Sequence, residues 1–469
     1  MKYMIYVVIF MIANYTTQAQ ETKTVKSPSG ATIAVQAPAE VKKAVETHSY
    51  DYNKAIQDGA TSVEEKVIEW RRDFHEFPEL SNREFKTADK IALKLRGMGL
   101  TVDQGMAITG VVAVLDTGKE GPTVGLRADT DALPVEERVD IPFKSREKGK
   151  YLGEEVGVMH ACGHDTHIAM LLGAAEVLTK MKSELVGKIV FVFQPAEEGA
   201  PPGEEGGAKL MVKEGLIEKY GIDVMFGQHI SSGLDVGKIM YKAGGIMAAA
   251  DRFEITVNGK QTHGARPWGG VDPITVSAQI IMGLQTIVSR QTELTKEAAV
   301  ISVGKMTAGV RNNIIPEQAT MVGTIRTLDV EMQDIIHAKI EKTAKLIAES
   351  AGATAEVKID KYAPVTFNHL NLTKQMIPSF YTAIGEDNVI ITPAVTGAED
   401  FAFFAEQIPS LYYFVGGKPL DVSPIDAAPH HTPDFYIDES GMIAGVKAIS
   451  QLAVDYLNNS MMATAAGGE

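Results

Sequence analysis

The chain has little cysteine, little tryptophan and, past its first residues, no long apolar run. One cysteine, Cys162, stands among 469 residues. No internal disulfide can form, so the fold is held by packing and the thiol is free for other chemistry. Lysine and arginine number 45 against 60 aspartates and glutamates, a formal charge of −15. That balance excludes nucleic-acid binding, which needs a basic face. Long blocks of like charge are missing too, so the acidity is spread over the surface. Beyond the N-terminus no segment reaches the roughly 20 apolar residues that a transmembrane helix needs.

What is there begins with a leader. Lys2 supplies a positive start, Tyr3 to Ala13 is almost wholly apolar, and Thr17-Gln18-Ala19 offers small residues for cleavage. The pattern predicts a signal peptide over 1–19, cut near Ala19, rather than an uncleaved anchor. The expected mature protein is exported, periplasmic or secreted, with no stable membrane insertion after processing. An exported chain with one cysteine does not depend on disulfides.

The length exceeds what one core supports. Residues 20–60 read as a linker, and Ser62 with Glu65 reads as a capping box opening the first helix. Apolar runs at 111–115, 123–126, 188–193 and 223–226 alternate with a helical run at 168–181. Near-continuous apolar strands alternating with helices predict an α/β fold, a mixed, largely parallel sheet flanked by helices. From about residue 247 the order becomes β-α-β-β-α-β, a ferredoxin-like arrangement. Asp272-Pro273 opens its first helix and 330–350 forms its second. The predicted plan is a catalytic metal domain at 61–246 and 362–460, an inserted domain at 247–361, and a disordered tail at 461–469.

The chemistry-bearing residues lie in loops near predicted strand ends. Met159-His160-Ala161-Cys162-Gly163-His164-Asp165 sets the thiol two positions from a histidine. Two residues apart on a helix face different ways, so Cys162 and His164 need loop backbone, which Gly163 permits. Asp165 or Thr166 can cap the helix that follows, whose N-terminus favours a thiolate. Alone, the triplet reads rather as a small buried cysteine beside a capping histidine. Glu197 and Glu198 follow a strand ending near Pro195. Neighbours on extended backbone point apart, so one carboxylate can bind metal while the other serves as general base. Hydrolysis at a metal needs that division: the ion acidifies a water and a free carboxylate carries its proton. His229 ends an apolar run, and His430-His431-Thr432-Pro433 offers one more ligand. Each signal is weak singly. Sulfur, imidazole and carboxylate together suit zinc or a neighbouring divalent ion. His160 and His167 read as structural neighbours of the site.

These tracts resemble the M20 metallopeptidase family, in its amidohydrolase branch of hippurate hydrolases, auxin-conjugate hydrolases and N-acyl-amino-acid deacylases. The resemblance rests on Arg127-Ala128-Asp129-Thr130-Asp131-Ala132-Leu133-Pro134, on Met159 to Asp165, on Pro195-Ala196-Glu197-Glu198-Gly199, on Gly397-Ala398-Glu399-Asp400-Phe401 and on His431-Thr432-Pro433-Asp434-Phe435. Arg71-Arg72-Asp73-Phe74-His75 and Pro78-Glu79-Leu80-Ser81 add to it. It spans roughly 62–457 and implies a zinc-exopeptidase-like fold whose inserted domain is a lid and dimerisation surface. It also implies two divalent ions, zinc, manganese or cobalt. Cys162 would bridge them, with His164, Glu198, His229 and His431 as further ligands and Glu197 as general base. Asp131 would support the site from behind. His263 resembles the histidine that polarises the scissile carbonyl, often from a partner subunit. Asn313 and Arg326 resemble groups that hold the substrate carboxylate. The implied activity is hydrolysis of small N-acyl-amino acids by a homodimer. Rival readings are a dipeptidase or carboxypeptidase of the same family, and a non-catalytic exported protein that holds metal or peptide. The acidic Glu204-Glu205 stretch should form a loop near the mouth of the site.

Overall fold

A computed structural model describes the backbone of residues 50–466 and the side chains of 50–458. The predicted signal peptide and most of the predicted linker lie outside the described residues.

Ordered structure starts earlier than the sequence suggests. The first helix is Tyr52–Glu76, with the Asp51 side chain accepting from the Lys54 amide at its N-terminus. Ile56, Ala60, Val63 and Val67 recur at helical spacing and are all buried, so the apolar stripe carries the helix through the expected cap. Ser62 donates to the Gly59 carbonyl instead, a mid-helix contact. The predicted domain boundary near Thr61 is thus corrected to Asp51. At the other end the closing helix is Met442–Ala466. Backbone at 461–466 is therefore helical rather than tail, since no glycine or proline lies between Val446 and Gly467.

The central sheet has eight strands, in spatial order 101–106, 110–116, 188–194, 123–129, 224–235, 410–418, 239–241 and 389–391. Strand 123–129 runs parallel to both neighbours, and 410–418 parallel to 224–235. The first two strands pair antiparallel to theirs, and 239–241 is antiparallel to 410–418 but parallel to 389–391. Every residue of 123–129 is buried, as a strand covered on both faces requires. One face packs on Tyr52–Glu76, His164–Lys180 and the closing helix. A smaller apolar cluster with Met211, Phe401 and Phe404 covers the other.

Between the two halves of this sheet the chain forms a second sheet, of strands 249–258, 299–308, 318–327 and 354–363. Their order is 299–308, 318–327, 249–258, 354–363, all antiparallel. Helices Pro273–Gln291 and Val330–Ser350 cover one face, and Phe253, Ile280, Ile336 and Ile340 form a core of their own. Apolar residues alternate along 249–258 with period two. The β-α-β-β-α-β order read from the sequence is the order found.

Candidate metal centre

The predicted ligands lie near the carboxyl ends of the parallel strands, where open α/β sheets gather ligands: Cys162, Glu198 and His431 in loops and turns, His164 at the start of helix His164–Lys180, and His229 within strand 224–235. Gly163 makes the first of these possible. It sits at φ 95, and a Cβ there would come within 2.4 Å of Ile230 Cγ2, so only glycine fits. The Cys162 thiol is thereby presented just before the helix that starts at His164. That helix has no side-chain cap. Thr166 donates back to the Gly163 carbonyl at 2.6 Å, and Asp165 accepts from Arg71 at 2.7 Å and faces His75. Asp165 is engaged in a buried ion pair, so it does not cap.

Around Cys162 Sγ stand His229 Nε2 at 3.4 Å and His431 Nε2 at 3.3 Å. His431 Nε2 lies 3.1 Å from Glu198 Oε1. His164 Nε2 lies 3.8 Å from Glu197 Oε2 and 3.9 Å from Glu198 Oε1. Five predicted ligands and the predicted base thus share one cluster. The two glutamates do not sit on extended backbone. They occupy a turn entered through Ala196 at φ 51, so both carboxylates face the same cavity. They differ by neighbour: Glu198 approaches His431, while Glu197 Oε1 receives the Asp400 amide at 3.4 Å.

Two of the three candidate imidazoles are oriented by their second nitrogen, as metal-bound histidines are. His229 Nδ1 donates to the Ile230 carbonyl at 2.5 Å, and His164 Nδ1 to the Asp131 carbonyl at 2.8 Å. Their Nε2 atoms are left for the cluster. Two neighbouring histidines are used up. His167 bonds Asp129 through Nδ1 and the Ile230 amide through Nε2. His430 bonds the Cys162 carbonyl and the Ser232 amide. His431 is accordingly the one of the pair whose Nε2 faces Cys162 and Glu198. His160 is buried with neither nitrogen bonded, and burial pushes it down to about 3.

The donor set fits cations. His164 Nε2 is buried without a hydrogen bond and Glu198 Oε1 has only His431 Nε2 beside it at 3.1 Å; a buried unpaired nitrogen is something native structures seldom tolerate unless something else is bound there. Groups of sulfur, nitrogen and oxygen donors lie within 4.8 Å of one another, Cys162, Glu198 and His431 in one and His164, Glu197 and Glu198 in another. Burial resists charging His164, but Asp129, Asp131 and Glu198 overcome it and push it up to about 10. A proton there does what a cation would do. Burial holds His229 neutral, well below its ordinary value. Burial, then Glu198 and Glu197, push the Cys162 thiol well up. These outweigh the helix terminus, so the thiolate expected from that terminus needs a cation beside it. Burial, then Glu399 and Glu198, raise Glu197.

Arg127 explains why so many carboxylates can gather. It is fully buried and reaches Asp129 at 2.8 Å, Glu399 at 2.8 Å and Asp400 at 3.0 Å. Gln194, Tyr412 and the Ala208 amide satisfy the remaining oxygens. Glu399 and Asp400 are therefore a braced wall rather than another cation site. Nothing local in the tract 397–401 announces this work, because the partner Arg127 lies more than 270 residues away.

The cavity over the cluster measures about 1070 Å³. Cys162, Glu197, Glu198, His229 and His431 line its floor; Met240, Met247, Val395, Phe403 and Phe414 form an apolar side. Glu204 and Glu205 lie at its edge, where the sequence placed a loop. The three remaining predicted residues are elsewhere in this chain. His263 is exposed on the short strand Thr262–His263, Asn313 is exposed beside its partner strand, and Arg326 bonds Thr324 Oγ1 and the Ile325 carbonyl within the second sheet. None of the three lines the cavity.

This geometry is matched by comparison. The profile of peptidase family M20/M25/M40 matches residues 125–455. Thermostable carboxypeptidase 2 of Saccharolobus solfataricus is 39% identical over 410 residues, covering 87% of this chain and 100% of that protein. N-acetylcysteine deacetylase of Bacillus subtilis is 36% identical over 395 residues, covering 83% and 96%. The crystal structure of the Bacillus subtilis YXEP protein, a dinuclear metal binding peptidase from the M20 family, superposes with a TM-score of 0.71 at 33% identity, covering 85% and 99%. The chain belongs to the M20 peptidase family and is a metal-dependent amidohydrolase.

Proposed function

We propose that the protein hydrolyses the amide bond of small N-acyl-amino acids, with Glu197 as general base. The observation that carries this reading is a spare carboxylate: Glu197 lines the cavity beside Glu198 yet takes only one long hydrogen bond, at 3.4 Å. A pure metal binder has no use for it. Cys162, His164, Glu198, His229 and His431 would hold two divalent ions, zinc, manganese or cobalt by the mixture of sulfur, nitrogen and oxygen donors. When bound, such ions acidify water and polarise the acyl oxygen. Glu197 takes a proton from the attacking water on its carboxylate and returns it to the departing nitrogen. The apolar side formed by Met240, Met247, Val395, Phe403 and Phe414 receives the acyl group and keeps bulk water off it.

His263, Asn313 and Arg326 would contribute from a second copy of the chain, the inserted domain acting as lid and dimer surface. His263 would then stabilise charge on the acyl oxygen, and Asn313 and Arg326 the free carboxylate. The apolar N-terminal stretch supports export. A carboxypeptidase reading is favoured by the relative of that name at 39% identity. Assay of purified protein on N-acetyl- and N-benzoyl-amino acids beside dipeptides, with metal analysis and chelator controls, separates the two. Turnover confined to dipeptides, or rates indifferent to chelation, would end the proposal.

A further inference from the structure

The turn that carries Glu197 is held from behind by residues that never reach the cavity. Ala196 sits at φ 51, in the left-handed region, although it bears a Cβ. Such backbone persists only where its surroundings over-determine it. The three successive amides at this turn are each accepted by a carboxylate. Ala196 N donates to Glu84 Oε1 at 2.9 Å, Glu197 N to Asp131 Oδ1 at 3.0 Å, and Glu198 N to Asp131 Oδ2 at 3.1 Å. Glu84 is wholly buried, and its other oxygen takes the Thr109 hydroxyl at 2.7 Å. Ser81 donates to Asp131 at 2.7 Å, and Asn82 donates to the Glu205 carbonyl at 3.0 Å. One short stretch, 81–84, therefore ties together the base, the ligand beside it and the edge of the cavity. A buried carboxylate placed against a neutral amide and a hydroxyl has no packing reason to be there.

We propose that Glu84 is a positioning residue for the general base: by holding the Ala196 amide it fixes the strained turn and so the direction of the Glu197 carboxylate. Glu84 does not line the cavity, so it touches neither substrate nor ion. The proposal rests on Glu197 being the base. Glu197→Gln tests that reading separately, and Glu84 variants test this one.

The experiment measures kcat, KM, metal content and melting temperature of Glu84→Ala and Glu84→Gln on whichever N-acyl-amino acid is turned over. Misdirecting a catalytic group by a fraction of an ångström costs on the order of 10- to 100-fold. Glu84→Ala is expected to lose that much in kcat with KM and metal content near those of the parent, the signature of a lost transition-state interaction. Glu84→Gln is expected to recover kcat to within about threefold, because its amide oxygen can accept from Ala196 and its NH2 can donate to the Thr109 oxygen. A scaffold role would instead lower metal content and folded fraction in step with rate, and that result overturns the proposal. So does a parental kcat in Glu84→Ala. Should Glu84→Ala fail to fold, Thr109→Val carries the test by removing one of the donors that hold Glu84. Lowered kcat at constant KM supports the assignment, and unchanged kcat refutes it.

Discussion

The two sheets of this protein bury different things. Beneath the central sheet's strand ends lie Arg127, Asp129, Asp131, His164 and Glu399, all essentially inaccessible and all ionisable. The second sheet covers a core of isoleucine, valine, leucine, methionine, alanine and phenylalanine, with Asp251 as its one deeply buried carboxylate among the described residues. Burying charge is costly unless each group finds a partner, so a chain that does it in one place and not another marks where its chemistry is. The second domain would fold for ordinary reasons. The first must hold mutually repelling carboxylates in a shape that a cation, not a side chain, completes.

The comparison can be broken or sharpened by experiment. Glu197→Gln is expected to give the largest effect, a loss of kcat on the order of 10²- to 10⁴-fold, with metal content unchanged by atomic emission. Normal turnover in that variant would remove the base from the mechanism. Arg127→Met should cost about 3–5 kcal/mol, since it strands three carboxylates in the interior, and should lower metal occupancy as well. In the second domain Ile336→Ala should cost a similar roughly 2–5 kcal/mol by leaving a cavity, yet retain the full complement of metal. Urea denaturation combined with metal analysis reads both. If Ile336→Ala strips the metal, the two regions are not as separate as their cores suggest.

A pH test follows from His164. In the metal-free protein its pKa is pushed up to about 10, so the protonated ring adds stability that is complete below the ordinary value near 6.5. That stability is lost as pH rises through about 10. A bound cation replaces the proton and cannot be titrated away by base. The melting temperatures of metal-loaded and chelated protein should therefore diverge between pH 6.5 and 10. A constant gap would show that His164 is not the group the ion displaces. The smallest effect belongs to the surface, where the exposed Arg138–Asp434 pair should alter the denaturation midpoint hardly at all when Arg138 is changed to alanine.

Much of this was legible in the chain. Period-two alternation at 252–258 and the Asp272-Pro273 start each had one local solution, so these elements fell within a few residues of their predicted bounds. The residues alone singled out Cys162, His164, the Glu197-Glu198 pair, His229 and one of His430 and His431 as donors; the choice of Glu198 and His431 rested on the family resemblance. The misses have physical causes. Asp165 looked like a cap because capping is local, whereas its partner Arg71 is 94 residues away. Glu197 and Glu198 were placed on extended backbone because nothing in the sequence announces that Ala196 turns left-handed. The start of the first helix was drawn at Ser62 because a capping pair was weighed above the apolar stripe that precedes it.

By itself the sequence determined which atoms were on offer: one sulfur, a handful of imidazoles, a paired carboxylate, and strands whose hydrophobicity required burial on both faces. It also determined the order of elements, because side-chain periodicity is a local property of the chain. Tertiary structure alone decided which histidine nitrogens remain free, which carboxylates Arg127 neutralises, and which of two adjacent glutamates keeps its oxygens uncommitted. Those are decided by contacts across tens to hundreds of residues, and in a low-dielectric interior such contacts set the charge and direction of every group they touch.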